Sequence, residues 1–357
     1  MSSCNRCLMD ESAGDFQKLG DECNYCKDFT ENSQKLLNQE FSLEGLIAEI
    51  NKKTSRRQYG CVVGVSGGLD SSLALVRAHQ LKLRPYAIHF DNGWNSELAQ
   101  ANIENLTRKL GIPLETHVVN WPTYRSAMEA FFDADVIDVE LLHDNAMQRV
   151  VYDFALKLGV KHILSGVNFA TEGFKIPPSW NHFKLDGRNI KGIVREGGGR
   201  LPSSYPVITP LRFGYYKLRG LKRVPFLNFF DYSRDGALQE LVTDYNYKPY
   251  PQKHHESVFT RLYQSYILVE KFGSDKRKPH LSNLIMTGEI SREQAMQLLS
   301  RAPMSKSDLE SDVAYFIKKM GWSSEDLRRY MERPPRSHFE FPSDYLWLKK
   351  LKNIVNP

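Results

Sequence analysis

The chain has 357 residues, 41% of them hydrophobic and 25% charged, with a formal net charge of +6. That length can bury a substantial core and points to about two domains, and the balance is that of an ordinary globular protein, neither disordered nor fibrous. No run of about 18 apolar residues occurs, so no membrane-spanning helix is expected, and the modest positive charge admits an anionic substrate without demanding nucleic acid.

The polar start, Met1-Ser2-Ser3-Cys4-Asn5-Arg6, carries no signal-peptide core, and a reducing cytoplasm is the expected compartment. Residues 1–30 hold four of the five cysteines, as Cys4-x-x-Cys7 and Cys23-x-x-Cys26 with 15 residues between the pairs. Each C-x-x-C can bend into a knuckle that aims two thiolates at one point, and two knuckles make a closed tetrahedral zinc site. The intervening segment has too few apolar residues to hold a core without metal. Disulfides do not suit the expected compartment. A closed site leaves no open coordination position, so the zinc is read as structural. Its loss is expected to loosen the N-terminal region more than any nucleotide contact.

Residues 31–56 are read as a linker and a helix: a polar stretch from Thr30 to Gln39, then an amphipathic pattern from Ser42 to Lys53. An α/β core begins near Arg57. Strands are predicted at Gly60–Val65, Pro85–Phe90, Thr116–Val119 and His162–Ser165, with helices after Ser66, from Ser96 to Gly111 and from Asp144 to Gly159. Strands alternating with helices predict a doubly wound parallel sheet over residues 57–230, with ligands bound beyond the strand C-terminal ends. From Asn181 to Pro225 the pattern is irregular. Glu196-Gly197-Gly198-Gly199-Arg200 reads as either a plain loop or part of a substrate lid. Residues 231–357 read as a helical, substrate-binding extension, with capping boxes at Ser291-x-x-Gln294 and Ser307-x-x-Glu310.

The most specific stretch is Ser66-Gly67-Gly68-Leu69-Asp70-Ser71-Ser72, between the first strand and its helix. Glycines let backbone N–H groups converge on an anion, and the helix points its positive end at the same place. The hydroxyls of Ser66, Ser71 and Ser72 add donors. Asp70 is a carboxylate inside an anion site, which a magnesium-bound polyphosphate would reconcile. No Lys follows the glycines, so this is not the Walker loop. Asp91-Asn92-Gly93 and Gly166-Val167-Asn168 also fall at strand ends and are expected in the same crevice. Backbone near His89 and Phe90 is placed against adenine, with Gly166 nearby. Asp91 either contacts ribose or forms an Asx turn with Gly93.

The loop resembles the S-G-G-x-D-S PP-loop of the ATP pyrophosphatase superfamily. Taken with the cysteine ribbon, Phe90-Asp91-Asn92-Gly93-Trp94, Ser165 to Gly173, Lys253 to Arg261 and Asp275 to Ser282, the whole chain resembles the N-acetyl sugar amidotransferases (WbpG/PseA type) of bacterial surface-polysaccharide and nonulosonic-acid pathways. The resemblance implies that ATP is split to AMP and pyrophosphate. An acetamido group on a nucleotide-linked sugar, activated as an O-adenylyl imidate, then becomes an acetamidino group by reaction with ammonia. It also implies a separate, HisH-like glutaminase subunit, with a possible cyclase-like subunit, as the ammonia source. Cys61 falls in a predicted strand and no G-x-C-x-G elbow occurs, so the chain is not expected to hydrolyse glutamine alone. Magnesium is assigned to Asp70 and, by carry-over, to Glu172, for which a helix-start carboxylate is the alternative.

Asn168, Lys253, His254, His255, Glu256, Arg261, Lys276, Arg277 and Lys278 are placed with substrate or phosphate; the alternative for the charged ones is a solvated face. Adjacent histidines point about 100° apart on a helix, so His254 and His255 should not share a metal. Two other readings remain open. One is a PP-loop tRNA-modifying ligase of lysidine or thiolation type, although no dense basic stripe favours RNA. The other is a non-enzymatic zinc-ribbon nucleotide-binding interaction protein.

Overall fold

The computed structural model describes residues 2–37, 42–250 and 256–355. At the N-terminus β1 (Lys18–Leu19) and β2 (Glu22–Cys23) form a short antiparallel hairpin that runs into α1 (Asn24–Leu37). The polar stretch read as a linker is helical through Leu37, because nothing from Asn24 onward interrupts the helix with Gly or Pro. Next comes α2 (Leu43–Thr54), capped by the Ser42 hydroxyl on the Gly45 N–H at 3.1 Å.

Five parallel strands make the central sheet: β3 (Cys61–Gly64), β4 (Pro85–Asp91), β5 (Leu114–Val118), β6 (His162–Ser165) and β7 (Lys222–Pro225), in the order β5-β4-β3-β6-β7. Both faces are covered, as a parallel sheet requires. Val63, Val65 and Ala87 pack under α2, α3 (Leu69–Gln80), α4 (Glu97–Leu110) and α10 (Arg234–Tyr245). On the opposite face Val62, Ile88 and Ile163 meet α6 (Leu141–Leu158) and α9 (Pro210–Leu218). The period-2 alternation along β3 thus feeds two separate apolar layers, each fully buried Val, Leu or Ile contributing about 1.5–3 kcal/mol.

A third layer, all helical, packs α5 (Trp121–Asp133) and α8 (Gly187–Glu196) against the C-terminal part of the chain. There α11 (Val258–Leu262) passes through a π-turn at Tyr263–Ile267 into α12 (Leu268–Phe272), and α15 (Lys306–Met320) and α16 (Ser324–Glu332) complete the core. The remaining α-helices are the four-residue α7 (Phe169–Glu172), α13 (Arg277–Met286), α14 (Arg292–Ser300) and α17 (Asp344–Val355). Among the described residues no helix is long and apolar enough to cross a membrane.

Some expectations change. The segment read as irregular contains α8, α9 and edge strand β7, whose Lys-Arg-Val-Pro sequence has no apolar run because only one neighbour covers it. Glu196–Arg200 closes α8: the Gly197 N–H bonds to the Ile193 carbonyl at 3.0 Å, and a Cβ on Gly197 would lie 2.8 Å from that of Ala130 on α5. The capping box at Ser291 is present, but α15 is capped by Ser305, which accepts from the Asp308 N–H at 3.1 Å.

The chain order β3, β4, β5 runs outward on one side and then crosses to β6 and β7 on the other, so the loops after β3 and β6 diverge around a crevice. There the backbone after β6 approaches α3 so closely that a Cβ on Gly166 would lie 2.6 Å from the Asp70 carbonyl carbon and 2.7 Å from the Ser71 nitrogen. Gly166→Ala is therefore expected to destabilise the protein by about 1–3 kcal/mol in urea unfolding. Gly214→Ala, inside α9 with open space around its Cβ position, should instead be neutral or stabilising.

Candidate active site

β3 ends by handing its backbone to β4, with the Val65 N–H on the Ile88 carbonyl at 2.8 Å. The chain then turns at Gly67, whose φ is +82° and where a Cβ would fall 2.6 Å from the Ala99 carbonyl oxygen, so glycine is required twice over. The Ser66 hydroxyl accepts from the Gly68 N–H at 3.3 Å, and Ser71 Oγ accepts from the Ser66 N–H at 3.2 Å. Ser72 is buried in the first turn of α3. Gly68 is the cap residue of α3 and brings no side chain to its N-terminus, where an anion can be received.

Asp70 stands in that first turn. Its Oδ1 accepts the Tyr232 hydroxyl at 2.5 Å and its Oδ2 accepts the Thr171 hydroxyl at 3.4 Å. Burial and the adjacent Asp70 charge push the Tyr232 phenol upward, which keeps it a donor. Two further phenols, Tyr247 and Tyr250, both donate to the Gly67 carbonyl at 3.2 Å. Glu256 approaches the same turn, with Oε1 3.0 Å from where a Gly68 Cβ would be. Its backbone is tied to the loop after β4 by the Ser96 N–H at 2.9 Å.

Asn168 caps α7, accepting from the Thr171 N–H at 2.9 Å, and donates to the Gly166 carbonyl at 3.2 Å. That cap aims Thr171 at Asp70 and places Glu172 one residue further on. On the other side of the crevice the His89 Nδ1–H donates to the Val65 carbonyl at 2.8 Å, and its Nε2 accepts from Asn95 at 3.0 Å. Burial depresses the His89 pKa, in keeping with a neutral ring that fixes the first loop against the second. Phe90 stacks on His117 at 6.0 Å. Asp91 forms the Asx turn, its Oδ1 accepting from the Gly93 N–H at 2.8 Å and from Asn95 at 3.0 Å. The Lys319 ammonium then locks this turn through the Gly93 carbonyl and the faces of Trp94 and Trp121.

The structure therefore brings together Ser66, Gly67, Gly68, Asp70, Ser71, Ser72, Gly166, Asn168, Glu256 and, across the β3–β4 loops, His89 and Asp91. Lys253, His254 and His255 lie outside the described residues. The other basic candidates are half-buried, and each is paired with a carboxylate. Arg261 forms a two-pronged pair with buried Asp312 at 2.6 and 2.5 Å. Lys276 meets buried Glu140 at 2.7 Å, with Gln264 of the π-turn on the same carboxylate at 2.9 Å. Arg277 clamps Asp275 at 2.7 Å, and Lys278 reaches Asp10 of the ribbon at 2.5 Å. Sequence reasoning missed Tyr232, Tyr247, Tyr250 and Thr171; the tyrosine-dense stretch at 245–250 was the available signal.

All four cysteine sulfurs of the ribbon lie within 4.8 Å of one another, buried and unbridged, with Cys4–Cys26, Cys7–Cys23 and Cys23–Cys26 at 3.8, 3.7 and 3.8 Å. A tetrahedron of sulfurs about 2.3 Å from a zinc ion has edges of about 3.8 Å, so the cage fits that metal. The backbone N–H groups of Arg6 and Cys7 point at Cys4 Sγ and that of Met9 at Cys7 Sγ, each at 3.4 Å, as in a metal knuckle. Cys61 is fully buried in β3, and burial pushes its thiol upward.

Residues 256–353 match the family described as LPS biosynthesis protein WbpG-like, C-terminal domain. This is a match to part of the chain, and it begins at the glutamate beside the glycine turn. An uncharacterized protein of Methanocaldococcus jannaschii, MJ1016, is 28% identical over 140 residues, covering 39% of this chain and 46% of that protein. The chain thus matches about half the length of that curated relative. Among solved structures, an NH3-dependent NAD synthetase from Campylobacter jejuni is 18% identical over 60% of this chain and 84% of its own, at a TM-score of 0.30. An NMN synthetase from Francisella tularensis is 13% identical over 78% of this chain and 98% of its own, at a TM-score of 0.36.

Burial opposes the Glu140 charge, but the Lys276 ammonium, with His143 and Lys184, holds its carboxyl at about 2. That value is below the ordinary one of about 4.3, so the pair's contribution is present above about pH 4.3 and lost as pH falls through 4 toward 2. Lys276→Met should cost about 3–5 kcal/mol at pH 7 by leaving Glu140 buried with its principal partner gone. In urea unfolding the deficit against wild type should narrow at pH 5, where the stranded carboxyl takes up a proton.

Proposed function

We propose that this chain is an ATP-dependent, AMP-forming amidotransferase that converts an acetamido group of a nucleotide-linked N-acetyl sugar to an acetamidino group in bacterial surface-polysaccharide synthesis. The observation that carries the reading is the uncapped glycine turn with Asp70 in the first turn of α3, at the sheet's switch point and in one chain with a WbpG-like C-terminal segment.

An amide oxygen is a poor leaving group. Its attack on the α-phosphorus of ATP releases pyrophosphate and leaves an O-adenylyl imidate. Ammonia then adds to the imidate carbon, AMP departs with the former amide oxygen, and a proton is lost to give the amidine. In this scheme Ser66, Gly67, Gly68, Ser71, Ser72 and the N-terminus of α3 hold the departing pyrophosphate. Asp70 and Glu172 hold magnesium, which neutralises charge on the phosphate oxygens. His89, Phe90, Asp91 and Gly166 line the adenosine side, with Asp91 and His89 acting through the loop they brace. Zinc in the cysteine cage is structural. Ammonia comes from a separate glutaminase, and the acceptor is a nucleotide sugar.

Incubation with ATP, magnesium, ammonium and a panel of UDP- and CMP-linked N-acetyl sugars should yield a product lighter by the difference between an oxygen atom and an NH group, read by mass spectrometry. Asp70→Asn should lower that turnover by about 100-fold or more while leaving the melting curve in place. Full turnover with unchanged stability would remove Asp70 from the metal site.

A further inference from the structure

The cysteine ribbon and the Asp70 cluster share a wall. The ribbon closes no core of its own: its four cysteines, Met9, Tyr25 and Phe29 are buried together with Phe174 and Trp180 of the main body. Phe29, one helical turn beyond Cys26 on α1, lies 4.5 Å from the ring of Phe169 and 6.0 Å from that of Phe174. Those two aromatics bracket α7, which at four residues is too short to be stable alone. Other holds on α7 come from the main body, where α13 packs along it and the Asn283 side-chain amide donates to the Ala170 carbonyl. Asn228 accepts from the Phe169 N–H at 2.7 Å, Asn283 accepts from the Phe174 N–H at 2.7 Å, and Thr171 reaches Asp70. The ribbon itself is pinned by Ser282 on the Leu8 N–H at 3.0 Å, by the Trp180 indole on the Ser12 carbonyl at 2.9 Å, and by Arg292 on the Cys4 carbonyl at 3.1 Å. A detachable module would need its own apolar centre, and this one borrows it from the segment that carries Glu172.

We propose that the metal-held ribbon is a positioning element of the candidate ATP site, with Phe29 the residue that transmits it. Ligation of Cys26 would fix the start of α1, Phe29 then sets Phe169, and α7 in turn presents Thr171 to Asp70 and carries Glu172 beside it in sequence. The effect on magnesium and ATP rests on the function proposed above; the coupling of ribbon to α7 does not. This adds an effect on the ATP site to the expectation that metal loss loosens the N-terminal region more than any nucleotide contact.

The test is full-length Phe29→Ala, which leaves all four cysteines in place. Zinc content should equal that of wild type, while the amides of residues 169–174 exchange faster by mass spectrometry and those of β3 and β6 do not change. The KM for magnesium-ATP should rise about tenfold with a smaller change in kcat, and Phe29→Leu should restore most of it. Unchanged exchange at 169–174 in Phe29→Ala would overturn the proposal, as would faster exchange there with an unaltered KM in an active enzyme. If wild type forms no AMP, the functional reading fails while the exchange measurement still decides the coupling. If Phe29→Ala does not fold, the same exchange on metal-stripped wild type and on Phe29→Leu decides it: protection retained at 169–174 after metal loss overturns it, and protection lost there supports it.

Discussion

Backbone meets backbone, with no side chain between, where the loop after β6 touches the first turn of α3. Gly166 permits a contact that any Cβ would block at 2.6 Å, and Gly67 permits a second one against Ala99. Close-packed interiors transmit such constraints, because a displaced turn has no void to move into. The parallel sheet fixes the height of both loops, the strand order makes them diverge, and the glycines let them close again around Asp70. Hydroxyls and phenols then complete a polar nest at a helix start that no side chain caps.

The C-terminal half participates in that nest more than its remoteness in sequence suggests. Tyr247 and Tyr250 hold the Gly67 carbonyl, and Glu256 reaches Gly68 while its own carbonyl accepts from the Ser96 N–H and the Val258 N–H bonds to the Trp94 carbonyl. The WbpG-like segment therefore starts at the glycine turn itself. Farther along, its cations are spent on buried carboxylates: Arg261 on Asp312 and Lys276 on Glu140. Such pairs add little net stability over apolar replacements but are costly to break singly.

Local signals were legible where local physics decides. The apolar runs of β3, β4 and β6, the Gly111 and Gly159 helix ends in left-handed conformation and the Ser42 and Ser96 caps all appear where the residues indicate. The S-G-G-x-D-S turn, its helix and the four-cysteine cage were readable for the same reason, since each needs only residues close in sequence or a fixed spacing. Edge strand β7 was not, because a strand covered on one side needs no apolar run, and α1 was hidden by a polar run after Phe29 that offers no apolar pattern. The same limit applied to charge. A lysine or arginine run cannot announce that its partner is Glu140, 136 positions away, or Asp10, 268 positions away. Nor could Asp91 declare its Asx turn over a ribose contact until Asn95 and Gly93 were seen to claim its carboxylate.

At the centre stands the idea that the turn at residues 66–72 grips the β and γ phosphates and leaves the α-phosphorus to be attacked. Purified protein given α-phosphate-labelled ATP, magnesium, ammonium and acceptor, with the label resolved by chromatography, addresses this directly. Label appearing in AMP, with unlabelled pyrophosphate released in step, is the expected result. Label accumulating in ADP instead would mean that the turn serves a different bond and that the proposed chemistry is wrong.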